Sequence, residues 1–202
     1  MKGIPHFLNF GDRERLQAVF PPLLAFTQWM HKHRRWPEGG DYWRGSIWPP
    51  TNYMVLRGLT KVHEDALAHE IAVNHVDNVT KAFQETGTLW ENYAPEAATR
   101  GSLSSKDFVG WGGVPPIAVL IEYVFGLRAD AAEKRLLWDV RLLDSHGIKR
   151  YPFGADGSLD LFCAGRKSED EEPRIEATST VPVKLVVRWK KGEKEIKPSC
   201  NS

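Results

Sequence analysis

Cysteine is nearly missing from this chain: Cys163 and Cys200 are the only two in 202 residues, and neither belongs to a CxxC pair or a Cys/His ligand spacing. This excludes a disulfide framework and a thiolate zinc site, and makes a reducing compartment, the cytoplasm, the expected location. Long hydrophobic runs are missing too. No apolar stretch reaches the length of a transmembrane helix, and Met1-Lys2-Gly3-Ile4-Pro5-His6 lacks the hydrophobic centre of a signal peptide. Nor is there an excess of charge of one sign: 27 Lys and Arg stand against 26 Asp and Glu, for a formal net charge of +1. With no basic surplus to neutralise phosphates, neither nucleic acid nor an anionic membrane is an expected partner.

What the chain has is apolar and aromatic material. At 42% hydrophobic and 26% charged residues it is long enough to bury a core of one domain or a domain and a half. Four of its large aromatics fall within Tyr42-Trp43-Arg44-Gly45-Ser46-Ile47-Trp48-Pro49-Pro50-Thr51-Asn52-Tyr53. Aromatics clustered at a turn make a stacking surface for a flat polyhydroxylated ligand, with Arg44 and Asn52 available for hydroxyls. The same cluster also fits a buried structural plug. Composition alone favours the plug, because Trp and Tyr are usually mostly buried.

Hydrophobic periodicity predicts a helix over residues 12–33, broken at Pro21-Pro22, and a loop over 36–50. A helix is expected from Thr51 or the preceding prolines to about Val62, and a longer one from Glu64 to about Glu85. The longer helix should turn Ala68, Ala72, Val76, Val79 and Phe83 to the core, and His69, Asp77 and Lys81 to water. His63, His69 and His75 read as ordinary or satisfied histidines. Gly87 should end that helix and open a second aromatic loop, Leu89-Trp90-Glu91-Asn92-Tyr93-Ala94-Pro95-Glu96, which runs on to Phe108-Val109-Gly110-Trp111-Gly112-Gly113. Pro115-Pro116 then starts another apolar helix. After Gly126 the period changes to two, predicting strands around 135–142, 157–163, 174–179 and 181–189, with turns at Asp156-Gly157 and Lys191-Gly192. Helices followed by strands imply segregated α and β layers.

Each aromatic loop precedes a Pro-Pro pair and an apolar helix, and the long helix lies between them. A repeat of loop, inner helix and outer helix brings both loops to one end, so Trp48 and Trp111 should share a mouth and Glu91 should lie beside Trp43, Arg44 and Trp48. This pairing reverses the preference for a plug. Apolar surroundings from Trp90 and Tyr93 disfavour a charged carboxylate and a nearby Arg44 favours it, a balance suited to a general base for water. Glu91 fits equally well as a helix-terminal or salt-bridged residue. Glu96 and Asp107 are lesser candidates on the same loop. No Ser-His-Asp spacing, phosphate-binding glycine loop or metal motif competes, and Gly110-Trp111-Gly112-Gly113 matches neither GxGxxG nor Walker patterns.

Three ordered motifs carry a family resemblance: Gly40-Asp41-Tyr42-Trp43-Arg44-Gly45-Ser46-Ile47-Trp48-Pro49-Pro50-Thr51-Asn52-Tyr53, Glu91-Asn92-Tyr93-Ala94-Pro95 and Gly110-Trp111-Gly112-Gly113-Val114-Pro115-Pro116-Ile117. Over residues 36–127 they resemble the C-terminal half of the catalytic domain of glycoside hydrolase family 63 and its mannosylglycerate-hydrolase-like relatives. The resemblance implies an (α/α)6 toroid of helical hairpins that hydrolyses α-linked gluco- or manno-configured glycosides with inversion. It implies Glu91 as general base, with Tyr42, Trp43, Arg44, Trp48 and Trp111 lining the sugar subsite; Asn52 and Tyr93, from the same two loops, are further substrate-binding candidates. Inversion needs a carboxylic acid across the ring from the base. In this family the acid lies on an earlier helix pair, for which Asp12 and Glu14 are poor substitutes. The expected architecture is therefore mainly α and then β: an incomplete toroid over residues 1–127, a small antiparallel β-rich segment over 128–198, and a disordered tail over 199–202. Such a chain should be inactive alone and should expose apolar helix faces for self-association or a missing N-terminal half. No metal or cofactor is required. A carbohydrate-binding remnant without catalysis, and a helical-repeat interaction module with the aromatics as core, are the alternatives.

Overall fold

Proline pairs set the starts of two helices, because a fixed φ and a missing N–H suit the first helical turn. The computed structural model describes residues 42–200 and positions 14, 17, 18, 21, 22 and 25. Apart from those six positions, the expected helix over 12–33 lies outside the described residues, as do Asp12, Gly40 and Asp41. Helix α1, Pro49–Lys61, begins on the first proline pair, and α2, Asp65–Thr86, follows after a turn at Val62 to Glu64. Gly87 closes α2, its N–H donating to the Phe83 carbonyl at 2.7 Å. A single turn, α3, Val109–Gly112, leads to α4, Pro115–Val124. Helix α4 is a π-helix: Val119 N–H donates to the Val114 carbonyl at 3.0 Å and Phe125 N–H to that of Leu120 at 2.8 Å, both five residues back.

Helices α1, α2 and α4 pack around Leu56, Ala68, Ala72, Val119 and Tyr123. The alanines of α2 let its neighbours approach closely. Ala82 is fully buried, whereas Phe83, expected in the core, is 46% exposed one position further round the helix. His69, expected in water, contacts the Tyr123 carbonyl through Nδ1 at 2.9 Å.

From Leu127 the chain forms two four-stranded sheets. One has the order β1 (Leu127–Asp130), β2 (Arg135–Asp139), β6 (Lys184–Trp189), β7 (Gly192–Ile196). The other has the order β3 (His146–Phe153), β4 (Gly157–Cys163), β5 (Ile175–Ser179), β8 (Ser199–Cys200). Leu136, Trp138, Leu185 and Val187 from the first sheet share one buried core with Tyr151, Phe153, Leu159, Leu161 and Cys163 from the second. The result is a β-sandwich.

This corrects the expected fold class. The described residues form three helices longer than one turn and two mixed sheets, not a toroid of helical hairpins followed by a small antiparallel sheet. The pairs β2–β6 and β5–β8 are parallel. Ser199 and Cys200, expected in a disordered tail, pair with Thr178 and Ser179. The strands expected around 135–142, 157–163, 174–179 and 181–189 are β2, β4, β5 and β6, whereas the outer strand β7 has no fully buried residue to mark it. In β3 the pairing with β4 shifts between Ile148 and Tyr151, where Arg150 has φ 56°, and this irregularity breaks the period-two pattern.

Helices and sandwich are joined by buried charge. Asp65, at the start of α2, accepts from Arg128 at 2.8 Å and Arg188 at 3.2 Å. Asp139 of β2 accepts from Arg141 at 2.9 Å, Arg128 at 3.3 Å and Arg188 at 3.4 Å. Asp65 also favours the N-terminal end of the helix dipole. Next to this network Gly126 has φ 80°, and a Cβ there would lie 2.1 Å from the Asp139 carbonyl oxygen, so only glycine allows the crossing. No helix among the described residues is long and apolar enough to cross a membrane.

Candidate active site

The two aromatic loops meet through backbone. Ile47 N–H donates to the Tyr93 carbonyl at 2.8 Å and Tyr93 N–H to that of Ile47 at 2.9 Å, a two-residue antiparallel bridge. The second loop is closed on itself by two serines facing Glu91 and Asn92. Glu91 N–H donates to the Ser105 carbonyl at 3.0 Å, and Asn92 N–H donates to Ser104 Oγ at 3.0 Å. Ser104 Oγ in turn donates to the Asn92 carbonyl at 2.8 Å. Asn92 is completely buried, and a Cβ on Gly101 would lie 1.8 Å from its Oδ1, so glycine is required for this loop to close.

At the first loop, Tyr42 takes the left-handed conformation at φ 50°, uncommon for a residue with a Cβ. Its carbonyl receives Ser46 N–H at 3.2 Å and the Trp48 indole N–H at 3.2 Å. Trp48 is buried, and Trp43 lies flat upon it with ring centroids 3.7 Å apart and 3° between planes. Trp43 itself is 65% exposed, so one face of the stack is open to a ligand. Trp111 meets the edge of Trp48 at 5.9 Å and packs on Phe108 at 4.8 Å.

Glu91 is buried and is tied to this surface through Tyr42 and Trp111. The Trp111 indole N–H donates to its backbone carbonyl at 2.8 Å. Its carboxylate accepts Tyr42 O–H on Oε1 at 3.3 Å, and Ser105 O–H at 3.1 Å and N–H at 3.4 Å on Oε2. A carboxylate has about four acceptor positions, so three donors orient it and leave room for one more, such as a water. Burial, and then the adjacent Glu91 charge, raise the Tyr42 hydroxyl above its usual range, which keeps it a donor. The arrangement can hold a ring by stacking and accept a proton at its edge.

The structure therefore brings Tyr42, Trp43, Trp48, Trp111 and Glu91 together. Arg44 is exposed in the turn between them. Tyr93 is 3% exposed and its hydroxyl accepts Trp90 N–H at 3.2 Å, which makes it part of the loop's framework. Asn52 points elsewhere, to His75 Nδ1 at 3.2 Å. Glu96 lines a separate cavity with Asn52, and Asp107 is held by Thr88 O–H at 2.7 Å. Sequence reasoning missed Ser104 and Ser105, because two serines in a polar loop carry no periodic or motif signal. Among the described residues, no group of three or more His, Cys, Asp and Glu is placed to hold a metal ion.

Comparison with known proteins agrees with the motifs. The glycosyl hydrolase family 63 C-terminal domain matches residues 22–121. The "Probable mannosyl-oligosaccharide glucosidase" of Schizosaccharomyces pombe is 34% identical over 83 residues, covering 36% of this chain and 10% of that protein. From Arabidopsis thaliana, "Mannosyl-oligosaccharide glucosidase GCS1" is 29% identical over 109 residues, 50% of this chain and 13% of its own length. "Alpha-glucosidase 2" from the same plant is also 29% identical over 109 residues, 50% of this chain and 14% of its own length. The chain thus spans only a small part of these relatives. No solved structure matches it. With the three motifs inside the matched segment, residues 22–121 belong to the C-terminal domain of glycosyl hydrolase family 63.

Proposed function

We propose that this chain supplies the base-bearing wall of an inverting glycoside hydrolase site for α-linked gluco- or manno-configured glycosides, with Glu91 as general base. The observation that carries this reading is the carboxylate of Glu91, oriented by Ser105 and by Tyr42, whose ring meets the stacked indoles of Trp43 and Trp48 edge-on. Trp43 stacks on the apolar face of the sugar ring, and Glu91 takes a proton from the attacking water. The general acid is assigned to the remainder of such a protein, since the chain spans 10–14% of the length of the glucosidases above. In this reading the isolated chain binds sugar and turns over none.

Two further parts of the proposal rest on other observations. Free thiols at Cys163 and Cys200 support a cytoplasmic location. Exposed Met54 and Val55 on α1 and Ile117 on α4 support covering of the helices by a second polypeptide surface or by self-association.

Tryptophan fluorescence during titration with methyl α-glucoside and methyl α-mannoside tests the binding half of the reading. A saturable change that disappears in Trp43→Ala is expected, and the absence of any change overturns it. Glu91→Gln in the longer protein that carries this segment tests the base. Loss of turnover with binding retained is expected, and unchanged turnover refutes the assignment. Absence of turnover in both the unmodified protein and the variant, with sugar bound by both, favours the non-catalytic carbohydrate-binding reading.

A further inference from the structure

Between α1, α2 and the loop after Tyr93 lies a cavity of about 370 Å³, within the range of small-molecule sites. It shares Ile47 and Tyr93 with the aromatic loops, but Tyr42, Trp43, Trp48, Glu91 and Trp111 are not in its wall. Its polar lining is dominated by uncharged groups: Asn52, Asn74, Asn78 and His75, with Glu96 the one carboxylate and no Lys or Arg.

These groups have hydrogen-bonding capacity to spare. Asn78 Nδ2 donates to Asn74 Oδ1 at 3.1 Å, which leaves Asn74 Nδ2 and Asn78 Oδ1 for another partner. His75 is 5% exposed and its Nδ1 faces Asn52 Nδ2 at 3.2 Å. With that amide donating, the ring proton sits on Nε2, which is buried and has no partner among the described residues. Burial lowers the His75 pKa to about 4, so the ring is neutral at neutral pH. A buried donor left unsatisfied is costly, and a buried histidine in a polar wall is where a ligand hydroxyl gains most.

The ligand class follows from the lining. An anion would meet Glu96 and no cation. A cation would meet Glu96 as the one charged group, and no cluster of three or more His, Cys, Asp and Glu among the described residues is placed to hold a metal ion. A hydroxyl both donates and accepts, and so matches carboxamides and a neutral imidazole together. The walls also carry Ile71 and Val79, which suit the C–H faces of a ring rather than an extended polyol. We propose that this cavity is a second sugar-binding site, separate from the Trp43–Trp48 surface, in which Asn52, Asn74, Asn78 and His75 bind the hydroxyls of a neutral pyranose. The site is independent of any role for Glu91.

The test is an NMR titration of the whole chain, following the side-chain amides of Asn74 and Asn78 and the imidazole of His75 for the cavity. The indole N–H signals of Trp43 and Trp111 report the aromatic surface in the same spectra. Methyl α-glucoside and methyl α-mannoside are the probes, with glycerol as the acyclic polyol and glucose 6-phosphate as the anion. Saturable shifts at His75 and the two amides with a neutral pyranoside, weakened at least tenfold in Asn74→Ala/Asn78→Ala, are expected. Unchanged signals from the sandwich residue Trp138 verify that this variant is folded. Movement of the indole signals alone overturns the cavity site and leaves the function proposed above standing. Movement at neither place overturns both. Equal shifts with glycerol, or stronger ones with glucose 6-phosphate, overturn the assignment to a neutral sugar.

Discussion

The hydroxyl of Tyr42 donates to Oε1 of Glu91 at 3.3 Å, although 49 positions separate them in the chain. Ser105 grips the other carboxylate oxygen, so the two loops hold Glu91 from opposite ends. In the longer protein, Tyr42→Phe removes one of three donors while keeping the ring on Trp48. Turnover should fall about tenfold with sugar affinity nearly unchanged, the signature of an interaction that acts on the reacting group. Steady-state kinetics separates kcat from KM, and a change confined to KM speaks against the relationship.

Trp43 contributes little to stability and much to binding. Most of its surface is in water, and its partner Trp48 is already buried. Trp43→Ala should change the urea midpoint only slightly. Sugar affinity at the aromatic surface should fall about fivefold, close to the ~1 kcal/mol of an aromatic stacking contact. A large loss of stability would mean that the stack is core rather than platform.

Asp139 should be among the most sensitive positions outside the two loops. Asp139→Ala leaves Arg141 without its acceptor, and Arg128 and Arg188 with Asp65 alone, at the joint between helices and sandwich. Removing one partner of a buried ion pair costs about 3–5 kcal/mol. About 3 kcal/mol is expected here, because the three arginines keep 20–29% of their side-chain surface in water. Urea denaturation measures it, and a loss below ~1 kcal/mol would show that the pairs are not coupled to folding.

His75 makes stability depend on pH. Its pKa is lowered from 6.5 to about 4 by burial, so below the unfolded value the unfolded chain binds a proton that the folded chain does not. Stability is therefore highest above pH ~6.5, falls as pH drops towards ~4, and is not lost further by this group below that. Between about pH 7 and about pH 5 the loss from His75 is about 2 kcal/mol. His75→Gln should flatten the slope and leave a remainder from His146, whose pKa burial also lowers. An unchanged slope in the variant refutes the assignment.

Helices α1 and α2 were legible because periodicity, Pro-Pro starts and a terminal glycine act locally. Motif order also pointed to the family and to the meeting of the two loops, since chemistry at Tyr42 to Tyr53 and at Glu91 needs particular residue types. Phe83 and Ala82 were exchanged because they are adjacent on the helix, and only packing against Trp90 and Tyr93 of the second loop decides which faces in. The β-sandwich was not legible: β7 buries no residue fully, and β3 loses its alternation at Arg150. Asn52 was assigned to a sugar by its place in the motif. Its partner is His75, 23 positions away on α2.

The amino-acid sequence by itself determined the helices and their ends, the near-zero net charge, and the three family motifs. Only the tertiary structure decided that two mixed sheets enclose one core, that Asp65 and Asp139 share arginines, and that Ser105 holds Glu91. It also placed Asn52 and His75 in a cavity of their own. These depend on contacts between distant parts of the chain, and such contacts leave no periodic trace in composition or spacing.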